Sequence, residues 1–362
     1  MTNRADLARI RWHRARMRIA AAALLAAPAA ALAHHSGLYD EQRIIALEGA
    51  ITAIAWVNPH VRLTLETTTA DGGGTTLWEI EGTSVNALER WGIGRDTFQV
   101  GDRVNVKGPQ SRYGRNAMIA ATVQRPDGEL VILWPNVAAR LGLAETGVAG
   151  AGLFPPPSAR TTDQPTRPAA PAPPATATGH GIFRIWTPRG RPAAQELPLT
   201  DAAREKARAY NALEDDPALR CEPPGMPVML DTPYPLEFVD RGEQIVMRFE
   251  EWDGVRTIYM NPGKGPPVQE HSPNGVSFGR WEGATLAIFT TYVSYPYFDD
   301  LGTPQSEAVT VLERYTPTAD ETRLDWQVTV TDPATFTTPV VRRGFMAFEP
   351  GEVIKPYNCT LP

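Results

Sequence analysis

Residues 43–66 read RIIALEGAITAIAWVNPHVRLTLE, and two features of this stretch decide the fold of the first half of the chain. Arg43 to Val57 is a long apolar and β-branched run interrupted by Gly49, which suits a strand that bends or bulges. From Val61 the pattern changes: Val61, Leu63 and Leu65 alternate with Arg62, Thr64 and Glu66, the period of a strand with one face in a core. Downstream, Asp71-Gly72-Gly73-Gly74 supplies a turn into a third strand, Thr75 to Glu81, and Ser84 can cap a short helix through Trp91 that Gly92 ends. Two more strands follow near Arg103–Lys107 and Ala117–Gln124, and a hairpin at Asp127-Gly128 leads to Leu130–Leu133. Five strands with a helix between the third and fourth is the order of an OB-type barrel.

The chain has 362 residues, of which 34 are Pro and 30 Gly, more than one globular domain usually holds. Between Pro155 and Thr178 lie eight prolines and no Val, Ile, Leu, Phe or Trp, so this segment has nothing to bury and reads as a spacer. We expect an OB-like β domain over 34–135, a Pro/Ala-rich linker over 136–180, and a second domain over 181–362, each folding alone. The second domain opens with a helix, Asp201 to Tyr210, capped by Thr200, and a proline-rich loop through Cys221. Everything after that reads β, with strands at Leu236–Asp240, Gln244–Glu251, Val255–Met260, Val276–Trp281, Thr285–Tyr292, Ala308–Tyr315, Arg323–Thr331 and Val340–Phe348. Short turns such as Asp253-Gly254 and Glu282-Gly283 imply antiparallel pairing of successive strands. The expected class is mainly β: an OB-like five-stranded barrel, then an antiparallel β-meander of up-and-down barrel type preceded by a helix.

Arg4, Arg9, Arg11, Arg14, Arg16 and Arg18 precede an Ala/Leu-rich run that ends in Ala31-Leu32-Ala33, the three-part pattern of a Sec-type signal peptide over 1–33 with cleavage after Ala33. Export to the periplasm or outside follows. The remainder carries 29 basic against 40 acidic residues, net −11, a poor balance for binding nucleic acid or anionic membrane. No later apolar stretch is long enough to span a membrane. Two cysteines cannot build a four-thiolate metal site, and in an oxidising compartment Cys221 and Cys359 are expected to form a disulfide closing a loop of 138 residues.

His34-His35-Ser36 with Tyr39-Asp40, and Trp56-Val57-Asn58-Pro59-His60, give residues 34–133 a resemblance to a family of exported, uncharacterised bacterial proteins. The second half resembles another uncharacterised exported β domain through Pro198-Leu199-Thr200, Asp216-Pro217, Cys221 to Pro227, Gly279-Arg280-Trp281-Glu282-Gly283 and Glu313-Arg314. It departs where that domain tends to carry histidines: Asn261 to Pro266, Gly275-Val276-Ser277 and Pro304-Gln305-Ser306-Glu307 hold none. The resemblance implies no reaction, and the missing imidazoles weaken any enzymatic reading of the second domain.

Among candidate sites, Gly275-Val276-Ser277-Phe278-Gly279 fits the nucleophile-elbow pattern, but it lies between β runs and no histidine follows Ser277. Scattered carboxylates such as Glu250, Glu251, Asp253, Asp299 and Asp300 read as surface. Trp281, Tyr292, Tyr295 and Tyr297 are candidates to floor an apolar ligand pocket. The sharpest constellation is His34, His35 and His60. Cleavage after Ala33 would give His34 a free α-amine beside its imidazole, a nitrogen chelate that suits Cu(II) when His60 completes the set. The expected function is a non-catalytic exported protein binding a metal ion, copper favoured, or a small apolar ligand in the second barrel. The alternatives are an enzyme with its site in that barrel and a partner-binding module of the cell envelope.

Overall fold

The computed structural model describes residues 38–69, 72–143, 181–189, 195–266 and 269–361. The first domain contains β1 (Tyr39–Ala55), β2 (Arg62–Thr68), β3 (Thr75–Glu81), helix α1 (Val85–Arg90), β4 (Arg103–Ser111), β5 (Ala117–Ile119), β6 (Thr122–Gln124), β7 (Leu130–Ile132) and helix α2 (Pro135–Arg140). Its ring runs β1-β2-β3-β5-β4 and back to β1, with β3–β5 parallel and the other pairs antiparallel. This is the five-stranded barrel expected, with α1 between the third and fourth strands and Ser84 accepting from Ala87 N as its cap. The β6–β7 hairpin extends the sheet beyond β4.

β1 is long because it serves two neighbours. Tyr39 to Ala50 pair with β4, and Ala50 to Ala55 pair with β2. The changeover falls at Gly49, where a Cβ would stand 2.3 Å from the Glu66 carbonyl oxygen, so only glycine lets the strands approach there. Val61, Leu63 and Leu65 point into the core, as their alternation requires, beside Ile51, Ile80, Val104, Val106 and Met118. α2 buries Pro135, Val137 and Ala138 against Trp134 and Tyr39, so ordered structure of this domain continues past residue 135.

The second domain is a closed barrel of nine strands. They are β8 (Ile185–Arg189), β9 (Leu236–Asp240), β10 (Gln244–Phe249), β11 (Val255–Tyr259), β12 (Val276–Glu282), β13 (Thr285–Thr291), β14 (Thr310–Pro317), β15 (Arg323–Thr331) and β16 (Val340–Ala347), with helix α3 (Asp201–Ala209) between β8 and β9. Eight match the sequence expectation. The ninth, β8, closes the ring between β16 and β9; it is five residues long and contains Pro188, which masks its strand character. A ring with an odd number of strands cannot alternate direction all the way round. The expected run of antiparallel neighbours accordingly breaks once, at the parallel pair β11–β12, whose connection returns the chain from one end of the strands to the other.

Inside, Phe238, Leu286, Ile288, Val311 and Tyr315 surround a buried ion pair. Arg256 donates to both oxygens of Glu313, at 2.9 and 2.7 Å, and to the hydroxyls of Ser277 and Thr290, while Tyr315 Oη donates to Glu313 at 2.9 Å. Burial by itself would lower the Arg256 pKa; the charge and hydrogen bonds of Glu313 carry it above its ordinary value. Among the described residues no helix is long and apolar enough to cross a membrane.

Candidate functional site

The two barrels are joined by more than a tether. α1 lies against the second domain, where Arg90 donates to both oxygens of Glu250 at 2.6 Å and to Glu352 at 3.0 Å. Glu250 is fully buried and also accepts from Asn86 Nδ2 and the backbone N–H of Lys355. Asn58 is the hub of the seam: its Oδ1 accepts from Val85 N at 2.9 Å, and its Nδ2 donates to Asn86 Oδ1 and to the Tyr357 carbonyl. Tyr234 Oη donates to Ser84 Oγ at 2.6 Å. The chain's last residues form a strap along this seam, ending in the disulfide Cys221–Cys359, with Cα atoms 5.8 Å apart as the pairing of those two cysteines requires.

Beside the seam a cleft of about 140 Å³ opens between the domains. The first barrel supplies Leu38, His60, Trp134, Asn136 and Arg140; the second supplies Asp216, Glu222, Asp231, Glu251 and Asp300, together with Tyr234, Trp252, Tyr295 and Tyr357. One wall therefore carries five carboxylates. The facing wall offers one guanidinium, Arg140, which is paired with Glu41. The field is felt by Tyr295, whose hydroxyl pKa is raised first by burial and then by Asp300 and Asp216.

His60 sits at the cleft with its ring stacked on Trp134, centroids 5.3 Å apart. Its Nδ1 is 3.2 Å from the Gly82 carbonyl oxygen and 3.8 Å from Glu81 Oε1. A carbonyl only accepts, so in the neutral ring Nδ1 carries the proton and Nε2 the lone pair, the arrangement that orients a ligating imidazole. His34 and His35 lie outside the described residues, as do the segment expected to be a signal peptide and residues Pro155–Thr178, expected to be a spacer. Among the described residues no three His, Cys, Asp or Glu side chains converge as metal ligands.

The aromatic candidates do not form one group. Trp281 pairs with Leu286 near the turn of the β12–β13 hairpin and packs edge-on against Phe183. Tyr292 follows the opposite end of β13, against His271. Tyr295 and Tyr297 do meet, at 6.0 Å, and Tyr295 lines the cleft while it packs against the core of the second barrel. Ser277 of the elbow-like sequence is buried on β12 against Arg256 and Thr290, so the strand reading of that segment holds. Several shared motif residues have packing roles: Glu313 holds Arg256, and Glu282 pairs with Arg280 and Arg314. Sequence reasoning missed the cleft because one wall comes from residues 38–140 and the other from residues 212–357, and most of these residues read as ordinary surface.

Residues 21–120 match a family of unknown function (DUF6152). No curated protein matches the chain. Among solved structures, a secretary abundant heat soluble (SAHS) protein from Ramazzottius varieornatus is similar over 47% of this chain and 97% of that one, at 8% identity and a TM-score of 0.26. So slight a likeness bears on neither mechanism nor ligand.

Proposed function

We propose that the exported protein binds Cu(II) at the mouth of the inter-barrel cleft, through the α-amine and imidazole of His34 exposed by cleavage after Ala33, with His60 and His35 as further nitrogen donors. The observation that carries this reading is that Leu38 and His60 wall the same cleft. Three residues, His35 to Gly37, lie between His34 and Leu38, and at about 3.4 Å per residue the four steps give the linking chain a reach of about 14 Å. The proton on Nδ1 leaves Nε2 as the donor atom of His60. Nitrogen donors in a tetragonal set favour copper over calcium or magnesium. The apolar-ligand reading of the second barrel has no comparable support, since side chains including Trp186, Phe238 and Tyr315 fill its interior and a ligand would have to displace them.

Copper titration of three samples tests the site: protein beginning at His34, the same protein with one Gly added before His34, and His60→Ala. Weaker binding in both altered proteins is expected, together with an affinity that falls below about pH 6 as imidazoles protonate. Equal affinity in all three would refute the proposal.

A further inference from the structure

A second cavity, of about 270 Å³, lies at the end of the second barrel where β10 stops and β11 and β12 begin. Its walls include Pro223, Pro224, Pro273, Met229, Phe249 and Trp252. Met229 and Phe249 belong to the packed core of the barrel, so the cavity stands on that core rather than inside it. The walls are rigid. Proline rings have almost no side-chain freedom to lose, and the Cys221–Pro227 motif that carries two of them is held by the disulfide Cys221–Cys359 and by Met226 N–H, which donates to the Pro273 carbonyl at 2.9 Å. Gly225 permits that approach, since a Cβ there would stand 2.3 Å from the same oxygen. Main-chain groups of the surrounding turns serve one another: Phe249 N–H donates to the Gly254 carbonyl, Gly275 N–H to Ser272 and Met229 N–H to Gly225. What remains to face the cavity is mostly carbon, the composition of a small-molecule site.

Trp252 is the wall residue that packing alone does not explain. It has φ +60°, and Asp253 after it has φ +51°, two successive non-glycine residues in the left-handed region. The Asp253 carboxylate holds this turn from the other side, accepting from the main-chain N–H groups of Tyr357 and Asn358 at 2.9 and 3.0 Å. Yet the Trp252 residue is only half-buried, with its indole 5.5 Å from the Tyr357 ring, so the strained turn does not serve to bury it in a core. A backbone outlier that sets an aromatic ring at the edge of a rigid apolar cavity is preorganisation for a ligand. On the loop before β12, Asn274 also lines the cavity, and no described residue hydrogen-bonds its side-chain amide, which has one acceptor and two donors to give. Glu251, the one charged residue in the lining, is already engaged within the structure, and the lining holds no cationic side chain that could retain an anion.

We propose that this cavity binds a small, flat, uncharged aromatic or heteroaromatic molecule, its face on Trp252 and the proline rings and its hydrogen-bonding edge on the Asn274 amide. An apolar cavity of about 150 Å³ holds benzene, and about 270 Å³ extends the fit to two fused rings. Such a ligand displaces none of the side chains that fill the barrel. The site is independent of the copper site, for His60 is not among its lining residues.

The test is ligand-observed NMR titration of protein beginning at His34, with a chelator present, using 2-quinolinone, naphthalene and 2-naphthoate as probes. 2-Quinolinone carries a lactam edge, naphthalene has two fused rings without one, and 2-naphthoate adds a negative charge. We expect saturable binding of one 2-quinolinone or one naphthalene per chain, and at least tenfold weaker binding of 2-naphthoate than of naphthalene. Trp252→Gly, which suits the left-handed backbone at that position, should weaken both neutral probes at least tenfold with the far-ultraviolet circular dichroism unchanged. Asn274→Ala should weaken 2-quinolinone about fivefold and leave naphthalene unaffected. His60→Ala should leave both neutral probes unaffected while it weakens copper binding, so the two readings fail separately. Absence of saturable binding by both neutral probes would overturn the proposal. So would 2-naphthoate binding as tightly as naphthalene, unchanged affinity in Trp252→Gly, or an Asn274→Ala protein that binds 2-quinolinone as tightly as the native one.

Discussion

The two barrels solve the same closure problem with different interiors. Each ring has an odd number of strands, five and nine, and each therefore contains one parallel pair, β3–β5 in the first and β11–β12 in the second. The smaller ring closes on an apolar core and on tight backbone approach at Gly49 and Gly108. The larger ring encloses more space and places Arg256 and Glu313, bonded to Ser277, Thr290 and Tyr315, among its apolar side chains. A satisfied polar network is as well packed as a hydrophobic one, but it fails differently: loss of one partner strands a buried charge. The first barrel should thus be sensitive to added volume and the second to subtracted charge.

Glu313→Ala gives the largest expected effect, because Arg256, with its side chain 2% exposed, keeps its charge and loses its counterion. A loss of about 3–5 kcal/mol in denaturant unfolding is expected, with most of it restored in Arg256→Met/Glu313→Leu, where no charge remains inside. If the single variant is as stable as the native protein, the contrast between the interiors is wrong. Gly108→Ala probes the other side of the comparison. Its Cβ would stand 2.0 Å from the Ile119 carbonyl oxygen, and a loss of about 1–3 kcal/mol confined to the first barrel is expected, read from hydrogen exchange of β4 and β5. Exchange that rises equally in both barrels would show that the seam couples them into one unfolding unit.

The smallest effect appears only in alkali. Burial raises the hydroxyl pKa of Tyr315 in the second barrel and of Tyr39 in the first, with Glu313 and Glu81 adding to the shifts. A folded-state pKa raised above the unfolded value of about 10 means that the unfolded chain gives up protons first. Stability is then fully present below pH 10 and falls above it. The tyrosinate absorbance of Tyr39 and Tyr315 should therefore appear only above pH 10 and coincide with unfolding.

What the amino-acid sequence by itself determined is local or compositional. The period-two alternation at Val61–Glu66, the glycine break in β1, the cap at Ser84 and eight of the nine strands of the second barrel are properties of neighbouring residues, and so they survive reading one window at a time. The pairing of Cys221 with Cys359 was legible for another reason, since two cysteines allow only one intramolecular disulfide. Tertiary structure alone decided the rest. β8 is a strand because β9 and β16 leave a gap for it, despite Pro188. Glu250, Glu313 and Arg256 are buried because partners 57 to 160 residues away satisfy them, whereas in sequence each reads as a solvated charge. Asn58 and His60 stand two residues apart, yet one ties the barrels together and the other faces the cleft. That division depends on which side of the seam each side chain meets. Burial and partnership of polar groups are set by where distant segments come to lie, and no local pattern of residues encodes that.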